Sequence, residues 1–100
     1  MQLQQNYTAF QSAGAEVVAL AVAPMSSVNG ARQAVQAGFP MLADPEHKAA
    51  AAYGVYNLLK DQFAAPSVFV IDTDRSILWY HVGRGPGDRP GVQTILQELP

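Results

Sequence analysis

One hundred residues with 49% hydrophobic and 14% charged side chains hold enough apolar material for one small core, which excludes intrinsic disorder and more than one domain. The formal net charge is −2 and the charges are scattered, so neither a basic nucleic-acid stripe nor an acidic tail is present. The longest apolar stretch, residues 17–25, is far short of the roughly 20 residues that a membrane helix needs. No charged segment leads into an apolar one at the start, so the expectation is a cytoplasmic protein with no nucleic-acid or membrane partner. There is no cysteine. These residues therefore offer no disulfide, no thiolate metal site and no thiol nucleophile.

Leu3, Tyr7, Phe10 and Gly14 follow a helical spacing, which predicts an amphipathic helix over residues 2–13 with Gly14 as the stop. Residues 16–22 form a continuous β-branched run, expected to be a strand covered on both faces as in a parallel sheet, ended by Pro24. Ser26 or Ser27 can cap a second helix with Val28, Ala31 and Val35 inward and Gly38 at its end. Residues 39–43 read as a short extended piece. Asp44, Pro45 and Glu46 predict a helix start with an acceptor at the N-cap, proline at N1 and acid in the first turn. That helix crosses the alanine block and ends near Tyr53 and Gly54, before a loop over 56–65.

Residues 67–72 are the clearest strand, followed by a turn at 72–75 and an alternating return strand over 77–82. Ile77, Trp79 and His81 share one face of it; Leu78, Tyr80 and Val82 share the other. Residues 83–87 are a glycine-rich connector. Pro90 is expected to open a last helix with Val92, Ile95, Leu96 and Leu99 at core spacing. The element order is α-β-α-β-α-β-β-α in a single domain, residues 1–100.

That order and the sequences filling it resemble the alkyl hydroperoxide reductase and thiol-specific antioxidant (peroxiredoxin) family. The matching stretches are "GAEVVALAV" from Gly14, "FPMLADPEHKAAAAYGV" from Phe39, "PSVFVIDTD" from Pro66, "ILWYHVG" from Ile77 and the terminal "DRPGVQTILQEL". The resemblance implies an α/β fold, a partial thioredoxin-like domain missing the N-terminal strands and the cysteine loop. In this family the nucleophilic cysteine starts the helix that here begins part-way at Met1, so the catalytic strand and loop would fall upstream. The missing strand would lie between the strands at 16–22 and 67–72, leaving two apolar edges unpaired. Such edges are disfavoured unless covered, which predicts a homodimer through them.

The resemblance also implies a redoxin function, with thiol-dependent peroxide reduction or thiol–disulfide exchange, a thiol reductant for the parent protein and no cofactor. It places Ala65 and Pro66 at the family's cis-proline position, where thiol substrates dock. Read from the residues alone, Pro66 is a trans proline beginning a strand. Many members carry an arginine near this point to stabilise the thiolate; here the positions hold Ala64 and Ala65. The alternative reading is a non-catalytic interaction or oligomerisation module with the same fold.

The remaining polar residues have plainer explanations. His47 and His81 match no metal spacing, even with Asp44 and Glu46 near the first of them. "GRGPGDRPG" follows a strand and precedes a helix, but it lacks both a GxGxxG pattern and a Walker lysine, so Arg84 and Arg89 are expected in solvent. Ser67 lacks a nucleophile elbow. Asp72 and Asp74 fit a hairpin turn better than a pair of catalytic carboxylates. Trp79 and Tyr80 are expected to pack the hairpin, one on each face.

Overall fold

A computed structural model describes residues 2–100; Met1, where the resemblance places the interrupted helix, lies outside the described residues. The elements in chain order are α1 (Gln2–Gln5), α2 (Tyr7–Ser12), β1 (Ala19–Ala21), α3 (Met25–Val35), β2 (Met41–Ala43), α4 (Lys48–Ala52), β3 (Ser67–Ile71), β4 (Ile77–Val82) and α5 (Val92–Gln97). The α/β order expected from the sequence is the observed one, and several boundaries move.

The helix predicted over 2–13 is broken at Asn6, whose backbone leaves the helical region and whose carbonyl restarts α2 by accepting the amides of Ala9 and Phe10. Asparagine favours such breaks because its side chain competes for nearby backbone groups. Gly14 does stop the helix. It sits at φ 80, and the Ala15 amide reaches back to the Phe10 carbonyl, the wrap that closes a helix C-terminus.

The capping of α3 is a correction. Pro24, not Ser26 or Ser27, is its N-cap, and the Pro24 carbonyl receives the amides of Ser27 and Val28. The helix ends in left-handed Gln36, two residues before Gly38. Gly38 instead lies against the Tyr7 ring and donates its amide to Gln4 Oε1 at 2.6 Å. On the inner face Val28 is buried and Val35 half-buried, but Ala31 is exposed.

Asp44 is a second correction. The chain turns through residues 45–47 and α4 begins only at Lys48, so Asp44 is not its N-cap and Pro45 is not at N1. The carboxylate still serves the helix from a distance: Oδ2 accepts the Ala50 amide at 2.9 Å. Asp44 is the one buried charged residue among those described, 8% exposed. The Ala50 amide is the main reason its carboxyl is held below the ordinary carboxylate range.

The strands form two separate two-stranded sheets. β1 and β2 run parallel with Ala19 opposite Met41, Leu20 opposite Leu42 and Ala21 opposite Ala43. β3 and β4 are antiparallel from Ser67 opposite Val82 to Val70 opposite Trp79, with a bulge before Ile71 opposite Ile77. No ladder joins β1 to β3. The strand predicted over 16–22 therefore pairs only at its centre. Its expected cover on both faces is not seen either: Val18, Leu20 and Leu42 are exposed.

The core gathers on one side of the hairpin. Phe10 from α2, Val70 from β3 and Ile95 from α5 are buried together, with Val68, Trp79, Val92, Leu96 and Leu99 packed around them. The last helix thus uses the predicted face. Its opening shifts, because Gly91 is the N-cap and Pro90 precedes it rather than occupying N1. A smaller apolar group centres on Phe39, whose ring meets Tyr7 edge-on at 5.5 Å.

Candidate functional site

Pro66 sits where the 56–65 loop enters β3. That loop is a small hairpin of its own: Tyr56 bridges Ala64, and the Asn57 amide donates to the Phe63 carbonyl. Its closing residue, Ala65, is 2% exposed and its amide donates to the Val55 carbonyl at 2.9 Å. The Ser67 hydroxyl donates to the Ala65 carbonyl at 2.8 Å. Both backbone groups of Ala65 are thus engaged within the chain. The Ala65–Pro66 bond is trans, as it is throughout the described residues. The Pro66 carbonyl accepts the Gly83 amide at 2.7 Å, which carries the β3–β4 ladder one step past Ser67 and Val82.

A groove of about 270 Å³ runs past this edge, bounded by Leu3 of α1, Pro66 and Val68, and by Arg89 and Val92 across from them. Ser67 and Arg89 are the polar residues among those that line it. Arg89 is exposed, and its Nε donates to the Pro86 carbonyl within its own loop at 3.2 Å. Arg84 is exposed too, while its backbone amide donates to Asp88 Oδ2 at 2.8 Å. The other oxygen of Asp88 meets His81 Nε2 at 2.9 Å. Those two contacts, the Arg84 amide first, hold the Asp88 carboxyl below its ordinary range.

The other candidates lie elsewhere. His47 is exposed in a left-handed conformation and stacks on Tyr56 with ring centroids 3.8 Å apart. No group of three metal-ligating side chains occurs among the described residues. Asp72 and Asp74 accept the amides of Thr73 and Ser76, and Ser76 holds the Asp74 carboxyl below its usual range. They are turn residues, as their position suggested. Trp79 packs on the core side of the hairpin, whereas Tyr80 stands on the outer side against Phe69 and is 63% exposed.

Asp88 was not legible as a site residue. Its signal was the pairing of a strand histidine with an aspartate seven positions later, across a glycine-rich connector that looked merely flexible.

The family profile described as AhpC/TSA family matches residues 1–80. The chain belongs to the AhpC/TSA family. Among solved structures, it is similar to Enterococcus faecalis AhpC with a TM-score of 0.87 at 20% identity, covering 98% of this chain and 60% of that one. Mycobacterium tuberculosis AhpC gives a TM-score of 0.80 at 22% identity over 95% of this chain and 54% of that one. Mycobacterium bovis AhpC gives 0.81 at 20% identity over 97% and 55%. The chain thus spans a little over half the length of these AhpC structures. No curated protein sequence matches it. The likeness establishes a partial thioredoxin-like fold. None of its helices among the described residues is long and apolar enough to cross a membrane.

Proposed function

We propose that this chain is the scaffold and docking portion of a thiol-dependent peroxide-reducing domain whose nucleophilic cysteine lies on polypeptide outside these residues. The observation that supports it is the combination of a family match over residues 1–80 with the absence of any cysteine. In that chemistry a thiolate attacks one peroxide oxygen, the O–O bond breaks, an alcohol or water leaves, and the sulfur becomes a sulfenic acid. A second thiol condenses with the sulfenic acid, releasing water and forming a disulfide that a thiol reductant then opens.

Within this reading Ala65 and Pro66 form the edge at which a thiol partner docks. The Ala65 backbone is already bonded to Val55 and Ser67, so recognition runs over the Pro66 ring and along the groove past Val68. The unpaired edges of β1 and β3 support a second element of the proposal, a homodimer through exposed sheet edges, and the setting is the cytoplasm. The isolated chain is expected to consume no hydroperoxide in the presence of a dithiol reductant. Measurable turnover by it would overturn the reading.

The alternative, a non-catalytic interaction or oligomerisation module, draws on the exposed apolar side chains of the strands, Leu20, Leu42, Ile77 and Tyr80 among them. Light scattering at high concentration tests the pairing that the two readings share: a monomer counts against the homodimer and against the module.

A further inference from the structure

The far end of the β3–β4 hairpin is chemically short of one bond. Gly83 donates its amide to Pro66, but proline has no N–H to return. The pair therefore has one of the two bonds that a hydrogen-bonded antiparallel pair exchanges. Just beyond lie Gly83, Gly85 and Gly87, which lose the most conformational freedom on ordering. An end built this way frays unless something else closes it.

Asp88 closes it. Its Oδ1 meets His81 Nε2 at 2.9 Å, its Oδ2 accepts the Arg84 amide at 2.8 Å, and its own amide donates to the Gly85 carbonyl at 3.0 Å. His81 stands on β4 opposite Val68. One carboxylate therefore ties the loop both to the strand and to the loop's own first residues. The fit around Gly83 is tight: a Cβ there would run into the Asp88 carbonyl oxygen and lie 2.9 Å from the Pro66 carbonyl oxygen. The loop residues that follow, Arg89 and Pro90, line the same groove as Pro66 and Val68.

We infer that Asp88 is the positioning residue of the Pro66 edge: bridging His81 and the Arg84 amide, it clasps the 83–88 loop onto the hairpin end and sets the width of the groove beside Pro66. The clasp itself stands on geometry; its bearing on thiol docking rests on the role proposed for Pro66. The titratable groups that meet the carboxylate are His81 from β4 and Arg84 from the loop, while β3 and α5 are built of Ser, Val, Phe, Ile, Gln, Thr and Leu and bring no titratable side chain. With its carboxyl held below the ordinary 3.8, Asp88 keeps the clasp shut at neutral and mildly acidic pH. It opens only as pH falls through that lowered value.

Amide hydrogen exchange on the 100-residue chain tests this. Asp88→Ala is expected to speed exchange at Gly83 and Arg84 at least tenfold and to leave Val70 and Trp79, in the middle of the same ladder, unchanged. Asp88→Asn keeps an acceptor for the Arg84 amide and should restore protection at Gly83. Unchanged exchange at Gly83 in Asp88→Ala overturns the inference. So does equal acceleration at Val70 and Trp79, which would make Asp88 a general stabiliser of the hairpin, or a failure of Asp88→Asn to rescue. The hydroperoxide assay reads the proposed function alone, so either can fail while the other stands.

Discussion

The two half-sheets differ in how much of their structure is made from within the chain. β3 and β4 are joined by a five-residue connection, 72–76, whose own aspartates bond its backbone, and one face of the pair is sealed by Phe10 and Ile95. β1 and β2 have three paired residues each, are joined only through α3, and keep Leu20 and Leu42 in solvent. A hairpin closes a short loop and needs no other strand, whereas a parallel pair in a thioredoxin-like sheet is stable when further strands and helices cover it. Half of a fold thus holds its geometry through local contacts. The other half pairs over only three residues and leaves apolar side chains of both its strands exposed.

The largest test of that contrast is a pair of truncations. Phe10→Ala removes a buried ring from the hairpin's core and should cost about 3–5 kcal/mol, enough to unfold most of a marginally stable chain of this size. Leu20→Ala on β1 should cost under about 1 kcal/mol because the side chain is already half in water. Urea unfolding followed at Trp79 measures both. Equal losses would show that the two halves fold and fail as one unit of even strength.

Gly83→Ala comes next. The added methyl has backbone oxygens on two sides and neither can yield as a flexible side chain would, so a loss of about 1–3 kcal/mol is expected. Thermal melts of the variant measure it, and a neutral result would mean that the 83–88 loop lies farther from Pro66 than the structure places it.

A third prediction concerns the junction between β2 and α4. Asp44 has a depressed folded pKa, so its contribution is present above the ordinary carboxylate value of 3.8 and is lost as pH falls through the lower folded value. Asp44→Ala should therefore lower the urea midpoint at pH 7, with the difference from the parent shrinking to nothing as the solution is acidified past that range. A difference that persists at the acid end would assign the effect to packing rather than to the charge.

The sequence made the hairpin, the inward face of α5 and the stop at Gly14 legible because each depends on neighbours in the chain: alternation, a 3.6-residue repeat, one left-handed glycine. It was less informative where partners are distant. Asp44 looked like an N-cap because acceptor, proline and acid stood in the right order, yet its carboxylate reaches Ala50, six residues on. Residues 16–22 were expected to be a strand along their length, and pairing with β2 covers only Ala19–Ala21. Asp88 was hidden for the opposite reason. It lies in a connector whose glycines and prolines suggest slack, and only the fold brings its carboxylate to His81. At Ala65 and Pro66 the residues alone gave the trans bond that the structure has, where the family resemblance implied a cis-proline position; the engaged Ala65 backbone was not legible, because its partner Val55 lies across the 56–65 loop.

The smallest predicted effect lies in the hairpin's turn and has the opposite sign. Arg75 sits at φ 73, a left-handed conformation that costs an ordinary L-residue about 1–2 kcal/mol. Its amide already closes the turn by donating to the Asp72 carbonyl, and glycine would keep that bond while relieving the strain. Part of the gain is offset because glycine also gives the unfolded chain more freedom. Arg75→Gly should therefore raise stability by only about 0.5–1 kcal/mol, visible as a small upward shift in the urea midpoint with an unchanged slope. A loss of stability instead would mean that the arginine side chain makes a contribution of its own across the turn, and that the hairpin half depends on more than its backbone geometry.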